Sequence, residues 1–105
     1  MDEKIRRIVE RFKQLVSERV QAHDVRVFGS RARGDASEGS DLDVLVVVGQ
    51  LDHETELFIS DCAWEAGFPD DIVLIPVVLT SDAVENSPLR ESVFIKNVYR
   101  EGIAV

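Results

Sequence analysis

The chain has 105 residues, of which 45% are hydrophobic and 30% are charged, and its formal net charge at neutral pH is −8. A chain of this length supports one hydrophobic core, so we expect a single domain over residues 1–105 and no separate domain for a small substrate. The composition excludes a disordered protein, and the acidic excess disfavours broad binding to duplex nucleic acid, whose phosphates it repels.

The first half of the chain predicts two helices and two strands. Apolar residues recur at three- and four-residue spacing near the start, which predicts a helix from about residue 3 to about residue 21. The β-branched and aromatic segment 25–28 predicts a strand that ends at Gly29, and the apolar run 42–48 predicts a central strand. Asp52 is a good N-cap for a second helix that reaches Gly67. The apolar face of that helix is expected to carry Leu57, Phe58, Cys62, Ala63 and Ala66.

The second half predicts one more strand and a last helix. Segment 72–79 is apolar and β-branched, but Pro76 cannot donate to a ladder, which indicates an edge strand or a bulge. Ser87 and Pro88 form an N-cap and N1 pair for a helix that runs from Leu89 to Gly102. The predicted order is therefore α-β-β-α-β-α.

Between the first two strands lies a segment that suits phosphate and metal chemistry. Gly29 lets the backbone turn and approach a ligand closely, while Ser30 and the amides of a following helical turn offer donors to phosphate oxygens. Asp41 and Asp43 stand two residues apart on a strand, so both side chains project from one face. Two carboxylates on an apolar strand repel one another unless a cation offsets the repulsion, and hard oxygen ligands suit Mg²⁺.

Together these residues carry a family resemblance. The strings GSRARG at residues 29–34 and SDLD at residues 40–43 resemble the signature of the polymerase-beta-like nucleotidyltransferases. The likeness is greatest to the minimal nucleotidyltransferases (MNT type), which are often paired with helical HEPN-domain proteins. This resemblance implies an α/β (α+β) fold with a small mixed sheet, in which nucleotide phosphates are held at Gly29 and Ser30. It also implies a metal site at Asp41 and Asp43.

The resemblance further implies transfer of a nucleoside monophosphate from a triphosphate such as ATP to a hydroxyl, with release of pyrophosphate. Arg33 resembles the family's arginine, and Ser40 belongs to the same signature; both are expected to bind nucleotide. For Arg31, a salt bridge with Asp35 or Glu38 is an equally good interpretation, and the sequence favours that interpretation less for Arg33.

Active relatives carry a third carboxylate on the next strand. Asp71 lies at the entrance to that strand and is the candidate for this role. The alternative interpretation makes Asp70 and Asp71 a solvated turn after Pro69, because the usual position falls inside residues 75–77, none of which binds metal.

Charge and apolar runs bear on partner and compartment. Residues 34–89 hold thirteen acids and no Lys or Arg, which suits metal ions or a basic protein partner. No apolar run approaches the about 20 residues that span a bilayer, and the start lacks a signal-peptide core, so we expect a cytoplasmic protein outside the membrane. Cys62 is expected in the core. For Trp64, off the main apolar face of its helix, a core contact is the simpler interpretation, and an exposed ring would indicate a protein interface.

Two functions fit these observations. In the first, the chain is a Mg²⁺-dependent nucleotidyltransferase that attaches AMP from ATP to a hydroxyl of a partner protein. In the second, it is an antitoxin-like subunit that neutralises a basic HEPN-type partner by contact, with a degenerate nucleotide site. A nucleic-acid polymerase needs a basic surface and further domains, and neither is expected here. The base preference and the oligomeric state stay open, a homo-oligomer included.

Overall fold

A computed structural model describes residues 1–37 and 39–105 of the chain. Its helices are α1 (Glu3–Ser17), α2 (Ser30–Arg33), α3 (His53–Gly67), α4 (Ser81–Asn86) and α5 (Val93–Glu101). Its strands are β1 (Ala22–Phe28), β2 (Leu42–Val48), β3 (Leu74–Thr80) and β4 (Ile103–Ala104). The mixed α+β class is confirmed, and α4 and β4 are additions that the sequence pattern did not predict.

The four strands form one mixed sheet in the order β3-β2-β1-β4. β2 runs antiparallel to β1 and parallel to β3, and β4 runs antiparallel to β1. One face of the sheet packs against α1 and α3 around the fully buried Phe12. On the opposite face Leu45 and Val47 pack with Val98 of α5. Because side chains alternate along a strand, Asp43 shares this second face with Leu45.

Helix α1 ends before the predicted residue 21, and β1 begins before the predicted residue 25. The N–H of Val20 donates to the carbonyl of Val16 at 2.9 Å, which closes the last turn. From Ala22 onward the backbone instead pairs with β2, in a ladder that runs from Ala22 opposite Val48 to Phe28 opposite Asp43. Pairing with β2 therefore sets where β1 begins, a long-range effect that local periodicity does not report.

Helix α3 begins as predicted, but its buried face differs from the predicted one. Asp52 caps the helix by accepting from the N–H of Thr55 at 2.8 Å. Leu57, expected on the apolar face, is exposed, because it stands about 200° around the helix from the buried Ile59. Trp64 is also exposed, so the expected core contact of this ring is wrong. The buried residues of α3 are Ile59, Cys62, Ala63, Ala66 and Gly67.

Cys62 lies in the hydrophobic core, as the sequence predicted. The side chain belongs to the larger core cluster and is 3% exposed. Burial in the first place, and then neighbouring acids led by Glu65, raise the pKa of the thiol to about 11. A thiol held neutral in this way is a poor nucleophile.

β3 is an edge strand of the sheet, as Pro76 predicted. This strand pairs on one side only, with β2, and forms an edge of the sheet. The N–H of Leu42 donates to the carbonyl of Val73 at 2.9 Å, so odd-numbered residues of this parallel strand bond toward β2. Pro76 has an even number, and the amide that proline lacks therefore belongs to the outer edge.

The last helix begins later than predicted. Ser87 and Pro88 start a 3₁₀ turn over Pro88–Glu91, in which the N–H of Leu89 donates to the Ser87 hydroxyl at 3.2 Å. Ser92 is the N-cap of α5 and accepts from the N–H of Ile95 at 3.1 Å. Two consecutive caps thus divide the predicted single helix into two segments. Among the described residues, no helix is both long and apolar enough to cross a membrane.

Candidate active site

The end of β1 turns sharply at Gly29 into the short helix α2. Gly29 has φ 74° and ψ −155°, a conformation that side chains with a Cβ rarely adopt. The N–H groups of Ala32 and Arg33 both donate to the carbonyl of Gly29 at 3.1 Å, which fixes the turn. The first amides of any helix have no acceptor within it, and such amides suit phosphate oxygens. Ser30 is the first residue of α2 and carries one of these amides.

Asp43 lies directly beside that turn. It is registered opposite Phe28, the residue before Gly29, at the end of the antiparallel ladder. A Cβ atom added to Gly29 would stand 2.6 Å from Oδ2 of Asp43. The backbone conformation therefore favours glycine here, and a larger residue would displace the Asp43 carboxylate from its present position.

The Asp43 carboxyl is affected by the charge of Asp41. Partial burial raises the pKa of the Asp43 carboxyl, and the charge of Asp41 raises it further. The charge of Arg33 acts in the opposite direction, which places this guanidinium in the same electrostatic environment. A partly buried carboxylate with a second carboxylate close by forms a site at which a cation would be favourable.

The carboxylates of Asp41 and Asp43 are ligands of a type that suits Mg²⁺. Mg²⁺ is commonly held by one or two carboxylates together with water and substrate phosphates, so two carboxylates such as Asp41 and Asp43 would be enough to hold it. Within residues 1–37 and 39–105, no group of three or more His, Cys, Asp or Glu side chains could hold a metal ion. Asp71 is thus not brought together with Asp41 and Asp43 as a third ligand.

The residue in register with Asp43 on the neighbouring strand is Ile75. In a parallel pair, residues in register share one face of the sheet, so the aliphatic Ile75 stands where β3 could offer a third carboxylate. Asp71 precedes β3 and is exposed, in a left-handed conformation with φ 54°. Its N–H donates to the carbonyl of Phe68 at 3.1 Å. Aspartate tolerates this conformation better than most residues, which gives Asp71 a role in the turn.

Arg33 is held by two acids, contrary to the sequence interpretation that favoured a salt bridge less for this arginine. Its Nε lies 3.2 Å from Oδ2 of Asp35, and its Nη1 lies 3.6 Å from Oε2 of Glu101 in α5. The hydrogen bond with Asp35 is the main reason that the pKa of Arg33 is raised. Glu101 comes close because α5 crosses the site face of the sheet. Arg33 therefore links α2 to α5 beside Asp43.

Arg31 and Ser40 shape the loop between α2 and β2. Nη2 of Arg31 donates to the carbonyl of Ser40 at 2.8 Å. The Ser40 hydroxyl accepts from the N–H of Ser37 at 3.0 Å, and the two serine hydroxyls are also 3.0 Å apart. These bonds hold the backbone immediately before Asp41. The predicted pairing with Glu38 lies outside the described residues.

A cleft of about 250 Å³ opens between this turn and α5. Phe28 and Phe94 meet there edge to face, with ring centroids 5.5 Å apart. Asn97 supplies an amide that can both donate and accept. Sequence reasoning missed Asn97 and Glu101 as site residues, although their spacing from Phe94 places all three on one side of a helix. The lining residues are Phe28, Gly29, Arg33, Phe94, Asn97, Val98 and Glu101.

Comparisons with known proteins agree with the resemblance carried by residues 27–46. The family described as a nucleotidyltransferase domain matches residues 5–105. A crystal structure of a toxin–antitoxin with AMP-PNP is 18% identical with a TM-score of 0.61, over 90% of this chain and 69% of that one. A proposed nucleotidyltransferase from Sulfolobus solfataricus is 20% identical with a TM-score of 0.54, over 96% of this chain and 80% of that one. At these identities the two structures establish the fold alone. No curated protein matches the chain.

Proposed function

This chain belongs to the nucleotidyltransferase domain family, and from that premise we propose that it transfers AMP from ATP to a hydroxyl of a partner protein. The acceptor oxygen forms a bond to the α-phosphorus while the bond from that phosphorus to the bridging oxygen of the β-phosphate breaks. Pyrophosphate leaves, and the hydroxyl proton passes to solvent. The observation that carries the proposal is the approach of the Asp43 carboxylate to the turn at Gly29.

Asp41 and Asp43 are the residues that would hold Mg²⁺. When bound, the metal neutralises charge on the triphosphate and on the leaving pyrophosphate. The chain's own part is to hold Asp43 on β2 and Asp41 immediately before that strand, next to a backbone turn with amide donors. Both carboxylates are therefore needed for tight binding of nucleotide.

In this proposal the phosphates lie along α2. Gly29 leaves room for the closest phosphate, and Ser30 offers its amide and hydroxyl. Arg33 would contribute a charged fork, and its present partners Asp35 and Glu101 keep that fork oriented. Ser40 acts through the loop that carries Asp41, since its hydroxyl is engaged by Ser37.

The nucleoside would lie in the cleft between the turn and α5. Phe28 and Phe94 supply aromatic surface for a base, and the Asn97 amide can bond to the edge of a base. The cleft of about 250 Å³ adjoins Gly29, so phosphates on the turn and a base in the cleft could belong to one nucleotide. The similar toxin–antitoxin structure contains AMP-PNP, an analogue of ATP, which supports the choice of ATP.

The acceptor in this proposal is a protein, such as a helical partner of the HEPN type. One of the solved structures that are similar to this chain is a toxin–antitoxin, which supports a protein partner. In this proposal Asp71 acts at the acceptor and not at the metal, because it is exposed at the approach to β3 and is not grouped with the two metal carboxylates. We expect Asp71→Asn to leave ATP binding intact and to reduce transfer.

Calorimetric titration of ATP with and without Mg²⁺ tests the proposal. We expect binding that needs the metal and that weakens at least about tenfold in Asp43→Asn, a loss of about 1.4 kcal/mol. Asp61→Asn, on the exposed side of α3, is the matched control and should bind like the wild type. Failure of the folded wild type to bind any of the four nucleoside triphosphates would contradict the proposal.

Ile75 favours a second candidate function, an antitoxin-like subunit that binds its partner but no longer transfers nucleotide. Active transferases of this family use a third carboxylate, and here the residue in register with Asp43 is aliphatic. Ile75→Asp would place a carboxylate at this position. A rise in pyrophosphate release on this substitution, from a wild type that binds ATP without turnover, would support the second function. Turnover by the wild type that Ile75→Asp does not increase would support the first.

A further inference from the structure

An exposed apolar face lies where α3 meets the edge strand β3; we define it by Trp64, Phe68, Val73 and Ile75. The first three are 68%, 65% and 60% exposed, respectively. Trp64 and Phe68 contact one another, with ring centroids 5.2 Å apart. A groove of about 270 Å³ runs between Trp64 and the start of β3. Trp64, Val73 and Ile75 line this groove, and Phe68 lies beside it through its contact with Trp64. Large exposed aromatic and aliphatic side chains close to one groove are typical of protein interaction sites.

The backbone at this edge disfavours an added strand. β3 is bonded to β2 on one side, and its outer edge lacks the amide donor at Pro76. Proline on an edge is a common device against pairing between strands. Side chains rather than backbone groups therefore offer the contacts, which suits an amphipathic helix laid into the groove.

The charge around the face indicates the chemistry of its partner. Residues 34–89, which include all of α3 and β3, contain no Lys or Arg. Asp61 and Glu65 are exposed on α3 beside Trp64, and Asp71 is exposed before Val73. Asp70 already has a partner, since its Oδ2 lies 3.5 Å from Nη2 of Arg11. A second copy that presented the same face would bring acids against acids, so a helix with basic flanks fits better than a symmetric pair of these faces.

The face also adjoins the candidate active site. Ile75 is in register with Asp43, and Val73 bonds to Leu42, the residue between the two metal carboxylates. One border of the groove is therefore formed by the strand that lies next to Asp43.

We propose that the face of Trp64, Phe68, Val73 and Ile75 binds an amphipathic helix of a partner protein whose apolar stripe is flanked by Lys or Arg. The placement of the partner's hydroxyl at the site rests on the proposed function; the docking itself does not. Apolar contact supplies the affinity, and the acidic surroundings select a basic partner over an acidic one.

Trp64 is the single tryptophan of the chain, so its fluorescence reports on the face directly. The probe is a synthetic amphipathic peptide of about 18 residues, or five helical turns, with a leucine stripe flanked by lysines. A matched peptide has glutamates in place of the lysines. We expect the lysine peptide to shift the Trp64 emission to the blue and to bind more weakly as salt is added, and the glutamate peptide to leave it unchanged.

Two variants locate the binding. Val73→Asp should weaken the lysine peptide at least about tenfold. Val93→Asp, which adds the same charge at a 74% exposed valine on α5, should bind like the wild type. Equal weakening in both variants, or equal binding of both peptides, would overturn the proposal. Sedimentation that shows a wild-type dimer dissociated by Val73→Asp would overturn it in favour of a second copy.

The titration is carried out without nucleotide and metal, so its outcome is separate from that of the proposed function. Loss of ATP binding with retained peptide binding would remove the transferase proposal and leave the docking face. Retained ATP binding without any response of Trp64 to the lysine peptide would remove the docking face and leave the transferase proposal.

Discussion

At Gly29 a backbone constraint and a side-chain constraint fall on one residue. Gly29 and Gly34 have similar φ values, 74° and 81°, but a Cβ at Gly34 would meet nothing within 4 Å. Gly34→Ala should therefore lose about 1–2 kcal/mol of stability from strain alone. Gly29→Ala should lose more, because φ 74° with ψ −155° is a conformation that essentially only glycine adopts, and because the short Asp43 side chain must also rotate away from the new methyl group. That rotation should weaken Mg-ATP binding at least about tenfold in this variant only.

Urea unfolding measures the stability of both glycine variants, and calorimetry measures their affinity for Mg-ATP. Gly34→Ala is the control for the added methyl group, since each variant replaces a glycine of positive φ at one end of α2, although the two glycines differ in ψ. Equal affinity in the two variants would mean that the position of the Asp43 carboxylate does not govern nucleotide binding.

The raised pKa of Asp43 predicts a cost in stability at neutral pH. Its folded pKa lies above the unfolded value, so its favourable contribution is complete below the unfolded pKa and is lost as the pH rises through the folded pKa. Above that range the charged carboxylate destabilises the fold. In metal-free buffer at neutral pH, we expect Asp43→Asn to raise Tm by about 1–3 °C.

Thermal unfolding followed by circular dichroism checks this expectation, with Asp61→Asn as the variant of equal net charge. The gain in Tm for Asp43→Asn should shrink as the pH falls through the folded pKa of Asp43 and should be absent below about 4, the ordinary pKa of an unfolded Asp. An equal rise in Tm for Asp61→Asn would assign the effect to net charge and not to the position of Asp43.

At the scale of elements, the start of α3 depends on one capping carboxylate. The hydrogen bond that Asp52 accepts from the N–H of Thr55 lowers the pKa of Asp52. The folded pKa is below the unfolded one, so the stabilisation is present above the unfolded pKa and is lost as the pH falls through the folded pKa. Asp52→Ala should therefore lower Tm at neutral pH and differ less from the wild type at about pH 2.

Serine also caps helices, which provides the control for this prediction. Asp52→Ser keeps an oxygen that can accept from Thr55, so it should retain much of the wild-type Tm at neutral pH. Its own capping should not change with pH, because a hydroxyl does not titrate in this range. An alanine variant that melts like the wild type at neutral pH would show that the cap contributes nothing to the fold.

The sequence predicted the elements whose signals are local. The bounds of β2 follow from one apolar run, and the cap at Asp52 follows from a few neighbouring residues. The start of β1 was predicted late because pairing with β2 sets it. The candidate site follows the same rule. Gly29, Asp41 and Asp43 lie within one short segment, so the local pattern predicted them together. The contact of Arg33 with Glu101, and the register of Ile75 with Asp43, depend on how distant segments meet.

Across the whole molecule, the sheet separates the main core from the candidate site. The larger cluster joins α1 and α3 to one face, and Phe12 is the largest of its fully buried side chains. The other face carries a smaller cluster around Leu45 and Val98, with Asp43 at its margin. Stability therefore depends chiefly on the face away from the candidate site, which leaves that site free to accept residues that cost stability.

Two phenylalanines test this division of the molecule with the same chemical change. Phe12→Ala should lose about 3–5 kcal/mol, a large share of the about 5–15 kcal/mol that stabilises a typical domain. Phe68→Ala, at a side chain that is 65% exposed, should change stability by less than about 0.5 kcal/mol. Urea unfolding measures both. If Phe68→Ala cost as much as Phe12→Ala, Phe68 would belong to the core, and the face that it forms with Trp64 could not be free to bind a partner.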